Sequence, residues 1–166
     1  VRSNGDDFGN AVLTRWDIVG DQKVILPHAH PVNGQRRIAV RTDIDINGHV
    51  VQAYSVHTET AWMGVEARVN QVRAVVASLD DGIHPAVVAG DFNTMEPAAL
   101  PLFEDIFEDA GFERASDGVG HTCRAGLFKF EFDHVFTRGV EVIRAGKVEN
   151  AEASDHLPLW VELALI

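Results

Sequence analysis

Between Arg37 and Val56 the chain writes out a β-hairpin, and that commits it to an antiparallel sheet. Ile38, Val40, Ile44 and Ile46 carry the apolar positions of an alternating stretch, the two-residue period of a strand with one buried face. Asn47-Gly48 follows, a dipeptide suited to a type I′ turn because both central residues need positive φ. Val50 to Val56 supplies the return strand. From Ala61 the period changes. Val65, Val69, Val72, Val76 and Leu79 recur at helical spacing, with Arg68, Asn70 and Arg73 elsewhere on the wheel. The pattern predicts a helix over 61–80, ended by Asp80-Asp81-Gly82, and then a strand over 86–90. A second amphipathic helix is expected over 97–110, with Leu100, Phe103, Ile106 and Phe107 inward and Gly111 as its C-terminal cap.

The remaining stretches are shorter. Residues 1–9 read as a polar loop, 10–14 as a strand, and 15–19 as its continuation into a loop. Pro27 and Pro31 bracket His28 and His30 in loop-like composition. A His-x-His pair can ligate a transition metal, but no Cys or third His is nearby, so an exposed loop is expected. Residues 113–126 also read as loop. Phe130 to Phe136 alternates, with the phenylalanines and valine expected on one face and Glu131, Asp133 and approximately His134 on the other. Strands over 140–145 and 159–165 close the chain. Two mainly antiparallel sheets flanked by two helices are therefore expected, an α+β sandwich in one domain over 1–166.

Composition narrows the partners. Twenty-five acids against 14 bases give a net charge of −11, opposite to the balance of a protein that binds duplex DNA through its phosphates. Convergent carboxylates suit divalent cations instead. The single Cys123 rules out an internal disulfide and reads as a small residue near a loop; it suits a reducing compartment, so a cytoplasmic location is expected. No apolar run has transmembrane length.

Chemistry concentrates in four places. Val87-Val88-Ala89-Gly90 runs into Asp91-Phe92-Asn93, a buried strand ending in a turn, with an acid and an amide two positions apart and so on one side of an extended backbone. His57 stands where the hairpin's second strand runs out, Asp133 lies in the 130–136 strand, and Asp155-His156 precedes the last strand. Carboxylates brought together repel one another unless a cation neutralises them, and Mg²⁺ is the hard ion that carboxylate oxygens serve. An imidazole oriented by a carboxylate can activate water, and a second can stabilise a phosphoryl oxygen or protonate a leaving group.

Together these stretches resemble the endonuclease/exonuclease/phosphatase superfamily of metal-dependent phosphohydrolases. The resemblance is carried by Val56-His57-Thr58, Arg68-x-x-Gln71, Gly90-Asp91-Phe92-Asn93, Phe132-Asp133-His134-Val135-Phe136 and Ser154-Asp155-His156, in that order. It implies a DNase I-like four-layer α/β/β/α sandwich and Mg²⁺-dependent hydrolysis of phosphodiester or phosphomonoester bonds, with Mn²⁺ or Ca²⁺ as alternative ions. By the same resemblance Asp91 orients or deprotonates water, and Asn93 holds phosphate or the metal shell. His156, oriented by Asp133, is general base or transition-state partner; His57 contacts the scissile phosphate, and Asp155 ligates metal together with Asp91 and Asn93.

Members of the superfamily normally begin with a strand bearing an Asn, then a Gln-Glu pair whose glutamate is the main Mg²⁺ ligand. Neither precedes Gly9, and no Gln-Glu dipeptide occurs. The expectation is thus an N-terminally truncated domain, its C-terminal two-thirds. Uncovered strand edges would then favour a homo-oligomer or association with a separate N-terminal segment. The alternative function is a catalytically impaired fragment acting as a binding or assembly module.

Overall fold

The computed structural model describes residues 2–3, 6–7, 9–80, 82 and 84–166. Twelve strands and two α-helices follow in the order β1 (Arg2–Ser3), β2 (Asp6–Asp7), β3 (Asp17–Ala29), β4 (Arg36–Ile46), β5 (His49–His57), α1 (Gly64–Val76), β6 (Ala86–Asp91), α2 (Ala99–Asp109), β7 (Glu113–Arg114), β8 (Cys123–Ala125), β9 (Phe128–Phe130), β10 (Asp133–Arg138), β11 (Val140–Lys147) and β12 (Leu159–Leu165), with a 3₁₀ turn over Ala61–Met63. Six strands form the main sheet in the order β3-β4-β5-β6-β10-β7. Only β5 and β6 run parallel, joined through α1; every other pairing in it is antiparallel. β11 and β12 form a separate antiparallel pair, and β12 approaches β10.

Both helices cover one face of the main sheet. Val69, Val72 and Val75 of α1 and Phe103 and Phe107 of α2 meet Leu26, Ala39, Tyr54, Val56, Val88, Phe92 and Phe136 from the sheet and its β6 exit. Phe92 is the hub: its ring lies 5.5 Å from Phe136, 6.0 Å from Phe107 and 6.3 Å from Phe103, and Phe107 stacks on Phe136 at 4.0 Å. Such edge and offset contacts add to the area buried. The end of α2 closes as predicted. Gly111 N–H donates to Glu108 O and Phe112 N–H to Phe107 O, the paired bonds of a Schellman cap, with Phe112 packed on Phe107.

The hairpin forms as read, with Asn47 at φ 55° and Gly48 at φ 88° in its turn. Elsewhere the structure corrects the sequence reading. Residues 10–14 form no strand; Asn10 Nδ2 instead donates to Ile38 O and Ser55 O, clipping the segment across β4 and β5. The loops expected at 15–19 and at Pro27 to Pro31 fall largely within β3. It lies at the sheet edge, where proline costs no ladder bond, and its register slips between Ile25 and Ala29, around Pro27 and His28. The first helix stops at Val76 rather than 80, and Asp81 of its expected stop lies outside the described residues, as does part of the 1–9 loop, in which β1 pairs with β2.

Arg68, placed by periodicity away from the core, is fully buried and paired with Glu96. The 130–136 strand is broken at Glu131-Phe132, and short strands β7 and β8 occupy the 113–126 loop. In β10, Phe136 joins the helix-side core, which puts His134 on that face and Asp133 with Val135 on the other.

His134 is 0% exposed. Its Nε2 lies 2.8 Å from Thr94 Oγ1, whose hydroxyl donates to Glu131 O, while Nδ1 stands 4.0 Å from Glu131 Oε1, too far to bond. Burial, with Arg114 nearby, pushes its pKa down to about 3. The unfolded chain therefore binds a proton that the native state refuses below the ordinary value of 6.5. The stability contributed is complete above pH 6.5 and is lost as pH falls toward 3. Urea unfolding at pH 7.0 and 4.5 should show wild type losing on the order of 2 kcal/mol more than His134→Gln; equal losses contradict the assignment.

Candidate active site

Register builds the site. His57 ends β5 and is aligned with Asp91 at the end of β6, and Asp91 is aligned with Asp133 at the start of β10. Three neighbouring strands thus set an imidazole and two carboxylates in one row, on the face away from the helices. Gly90 makes the row possible. At its φ of 153° a Cβ would point into β5 and lie 1.8 Å from Val56 O, so the pairing at this position admits only a residue without a side chain. Beyond the strand, Phe92 turns into the core and Asn93 takes φ 50°. Asn93 N–H then donates to Asp91 Oδ1 at 2.8 Å, and its Nδ2 to Thr58 O at 3.1 Å.

His156 comes from the loop before β12. A bridge to Cys123 holds its backbone, and Leu157 N–H donates to Thr122 O at 2.6 Å. Its Nδ1 lies 2.7 Å from Asp133 Oδ2, and its Nε2 lies 3.9 Å from Asp91 Oδ2; His57 Nε2 reaches the same Asp91 oxygen at 3.5 Å. Asp133 itself is fixed from behind, because Thr122 Oγ1 accepts both Phe132 N–H and Asp133 N–H. A cavity of about 330 Å³ opens beside this group, lined by Ala89, Gly90, Asp133, Val135, His156 and Leu157 among others.

The two imidazoles are tuned in opposite directions. Burial and the Arg37 guanidinium push His57 down to about 4, so it is neutral at pH 7. Burial also acts against a charge on His156, but the Asp133 hydrogen bond and the charges of Asp133, Asp91 and Asp155 outweigh it and raise its pKa. Asp91 rises to about 6 because it is buried, the Asn93 N–H opposing and Asp133 adding to the rise. At neutral pH the site therefore holds a basic carboxylate beside a neutral imidazole and one that favours its proton.

Five of the residues singled out in the sequence, His57, Asp91, Asn93, Asp133 and His156, come together here. Asp155 lies exposed next to His156, with its side chain near Cys123. The reading from sequence missed three others. Arg37 acts electrostatically on His57 and Asp91 and is paired with the buried Glu59 at 3.2 Å; in the sequence it was only the start of an alternating strand. Thr122 carries no signal without knowledge of its backbone partners. Cys123, read as a loop residue, is in β8, 4% exposed, its thiol pushed up to about 11 by burial and by Asp155, Asp133 and Asp91. As donors, the Asp91 carboxylate and Asn93 Oδ1 fit a hard divalent cation, since the Asn93 amide nitrogen is already engaged by Thr58.

The fold is that of a hydrolase superfamily. The chain belongs to the Endonuclease/Exonuclease/phosphatase family, whose sequence profile matches residues 1–156. Among curated proteins it is similar to a UPF0294 protein of Vibrio vulnificus, 32% identical over 119 residues, covering 72% of this chain and 41% of that protein. A UPF0294 protein of Yersinia pestis is 30% identical over 116 residues, covering 70% and 44%. The chain thus spans less than half the length of these relatives. Among solved structures it matches an endonuclease/exonuclease/phosphatase family protein from Leptotrichia buccalis, with TM-score 0.71, 18% identity and coverage of 92% of this chain and 64% of that one. A mannosyl-6-phosphatase from Bacteroides thetaiotaomicron matches with TM-score 0.70, 19% identity and coverage of 90% and 67%. At such identities the match shows the fold, the expected DNase I-like α+β class. Among the described residues no helix is long and apolar enough to cross a membrane.

Gly90→Ala tests the register directly. The added methyl must separate β5 from β6, and the variant should lose more than about 3 kcal/mol in urea unfolding. A loss under about 1 kcal/mol would mean that the close approach is not what fixes the row.

Proposed function

We propose that the site hydrolyses phosphodiester or phosphomonoester bonds, with Asp91 and His156 sharing the proton transfers. What supports this most is the chain of contacts Asp133–His156–Asp91–His57, all within 3.9 Å from one polar atom to the next. A divalent ion, Mg²⁺ or alternatively Mn²⁺ or Ca²⁺, held by Asp91, Asn93 and Asp155, would supply Lewis-acid stabilisation of charge on the phosphoryl group. The residues of the chain do the rest. Water attacks phosphorus, and its proton passes to Asp91, whose carboxylate stands between the two imidazoles. The bond to the leaving oxygen breaks, and that oxygen takes a proton from His156, whose protonated form Asp133 favours and whose ring it orients. His57, neutral, donates an N–H to a non-bridging oxygen.

Asn93 keeps Asp91 aimed through its backbone N–H. The phosphoester class is also that of proteins with this fold: a mannosyl-6-phosphatase, and a zebrafish TDP2 solved with a single-strand DNA product. The acidic surface favours a small ester, a lipid headgroup or an unstructured strand over duplex DNA. Among the described residues β12 is paired on one edge only, by β11, and its Trp160 and Leu165 are exposed, which supports association through that edge with a second copy or a separate N-terminal segment.

Hydrolysis of bis-(p-nitrophenyl) phosphate with Mg²⁺ tests the reading. Asp91→Asn and His156→Gln should each lower kcat by about 10²–10⁴, with Asp133→Asn lowering kcat while leaving the unfolding midpoint nearly unchanged. Wild-type rates that survive Asp91→Asn would contradict it.

A further inference from the structure

One group of side chains overlaps this site and adds to it a residue, Cys123, that plays no part in the hydrolysis just described. Cys123, Asp155 and His156 place a sulfur, a carboxylate oxygen and a ring nitrogen within 4.8 Å of one another, the one such His/Cys/Asp/Glu group among the described residues. Backbone contacts build the arrangement. Cys123 and His156 face each other across an antiparallel bridge, and Arg124 N–H donates to Asp155 O at 2.8 Å. The three ligands therefore come from two segments locked together on both sides. Cys123 is buried and Asp155 exposed, so an ion can enter from solvent over the carboxylate and settle against the thiol.

The donor set is the wrong one for Mg²⁺, which binds oxygen and avoids sulfur. It is the right one for a borderline-soft ion of tetrahedral habit: one thiolate, one imidazole, one carboxylate and a fourth position left to water. His156 is also prepared for it. Its Nδ1 is engaged by Asp133 at 2.7 Å, so a metal taken through Nε2 would complete the carboxylate–histidine–metal pairing that orients ligating imidazoles.

We propose that Cys123, Asp155 and His156 form a thiophilic cation site, for Zn²⁺ or an ion like it, that turns the active site off. On binding, the Cys123 sulfur gives its proton to solvent and donates an electron pair to the metal; no electron transfer takes place. Occupancy removes His156 Nε2 from the leaving oxygen and withdraws Asp155 from the hard-cation site, so the two metals act as antagonists. The inhibitory half rests on the proposed hydrolytic role of His156; the binding half does not.

The decisive experiment is titration of the purified, metal-free chain with Co²⁺, a spectroscopic stand-in for Zn²⁺. A near-ultraviolet thiolate-to-cobalt band should appear at one equivalent, be bleached by Zn²⁺ and be indifferent to excess Mg²⁺. Cys123→Ser should abolish the band, and Asp133→Asn should weaken Co²⁺ binding by about 10–100-fold. Because Cys123 is the only cysteine, thiol alkylation reports on it alone in wild type, and Zn²⁺ should slow that alkylation even if the serine variant fails to fold. Absence of the band together with unprotected alkylation overturns the site, whatever the hydrolytic activity. In the hydrolysis assay, Zn²⁺ should inhibit wild type at concentrations at least about 10-fold lower than it inhibits Cys123→Ser. A cobalt band without that difference would retain the site and overturn its inhibitory role.

Discussion

The pairing of β5, β6 and β10 is the constraint on which the rest depends. His57, Asp91 and Asp133 are far apart in the chain, yet the ladder places them side by side because each occupies the matching register position on adjacent strands. A shift of one residue in either pairing would turn one of the three to the helix side of the sheet. Two features hold the register. Gly90 admits the carbonyl of Val56, and Phe92, next in sequence to Asp91, is anchored among Phe103, Phe107 and Phe136. The stretch Gly90-Asp91-Phe92-Asn93 thus divides its labour by residue: one for backbone approach, one for the core and two for the site.

Electrostatics then separates groups that are chemically alike. His57 and His156 both approach one oxygen of Asp91; the far nitrogen of His156 is bonded to the Asp133 carboxylate, while His57 lies half-buried near Arg37. The result is one imidazole that resists a proton and one that favours it. Asp133 is committed to His156 and fixed by Thr122, while burial, with the neighbouring Asp133 charge adding to it, raises the pKa of Asp91. That combination suits a neutral-pH proton relay better than it suits stability, since buried charges of this kind contribute little to folding.

Much of this was legible in the sequence where local rules and tertiary structure agree. The Asn47-Gly48 hairpin, the core faces of the two helices, the Gly111 cap and the His57, Asp91, Asn93, Asp133 and His156 group all have local signatures: a period, a turn dipeptide or a short motif. What was not legible depends on distant partners. β3 keeps Pro27 only because it is an edge strand with a slipped register. Arg68 is buried with Glu96, distant in sequence, as its ion-pair partner. His134 points to the core because the strand restarts at Asp133, a break set by Thr122 from another segment. Cys123 looked inert until the fold brought Asp155 and His156 to it. Alternation and helical period describe one element at a time; these four depend on its neighbours.

The central claim is that strand register creates two imidazoles of opposite character around Asp91, and nitrogen-15 NMR of the histidine side chains measures it most directly. In the metal-free protein at pH 6.5, His156 should be more than half protonated, with a downfield Nδ1–H resonance that disappears in Asp133→Asn, while His57 stays neutral until the pH nears about 4. If both rings titrate together near 6.5 and the Asp133 substitution leaves His156 unchanged, the arrangement described here is wrong.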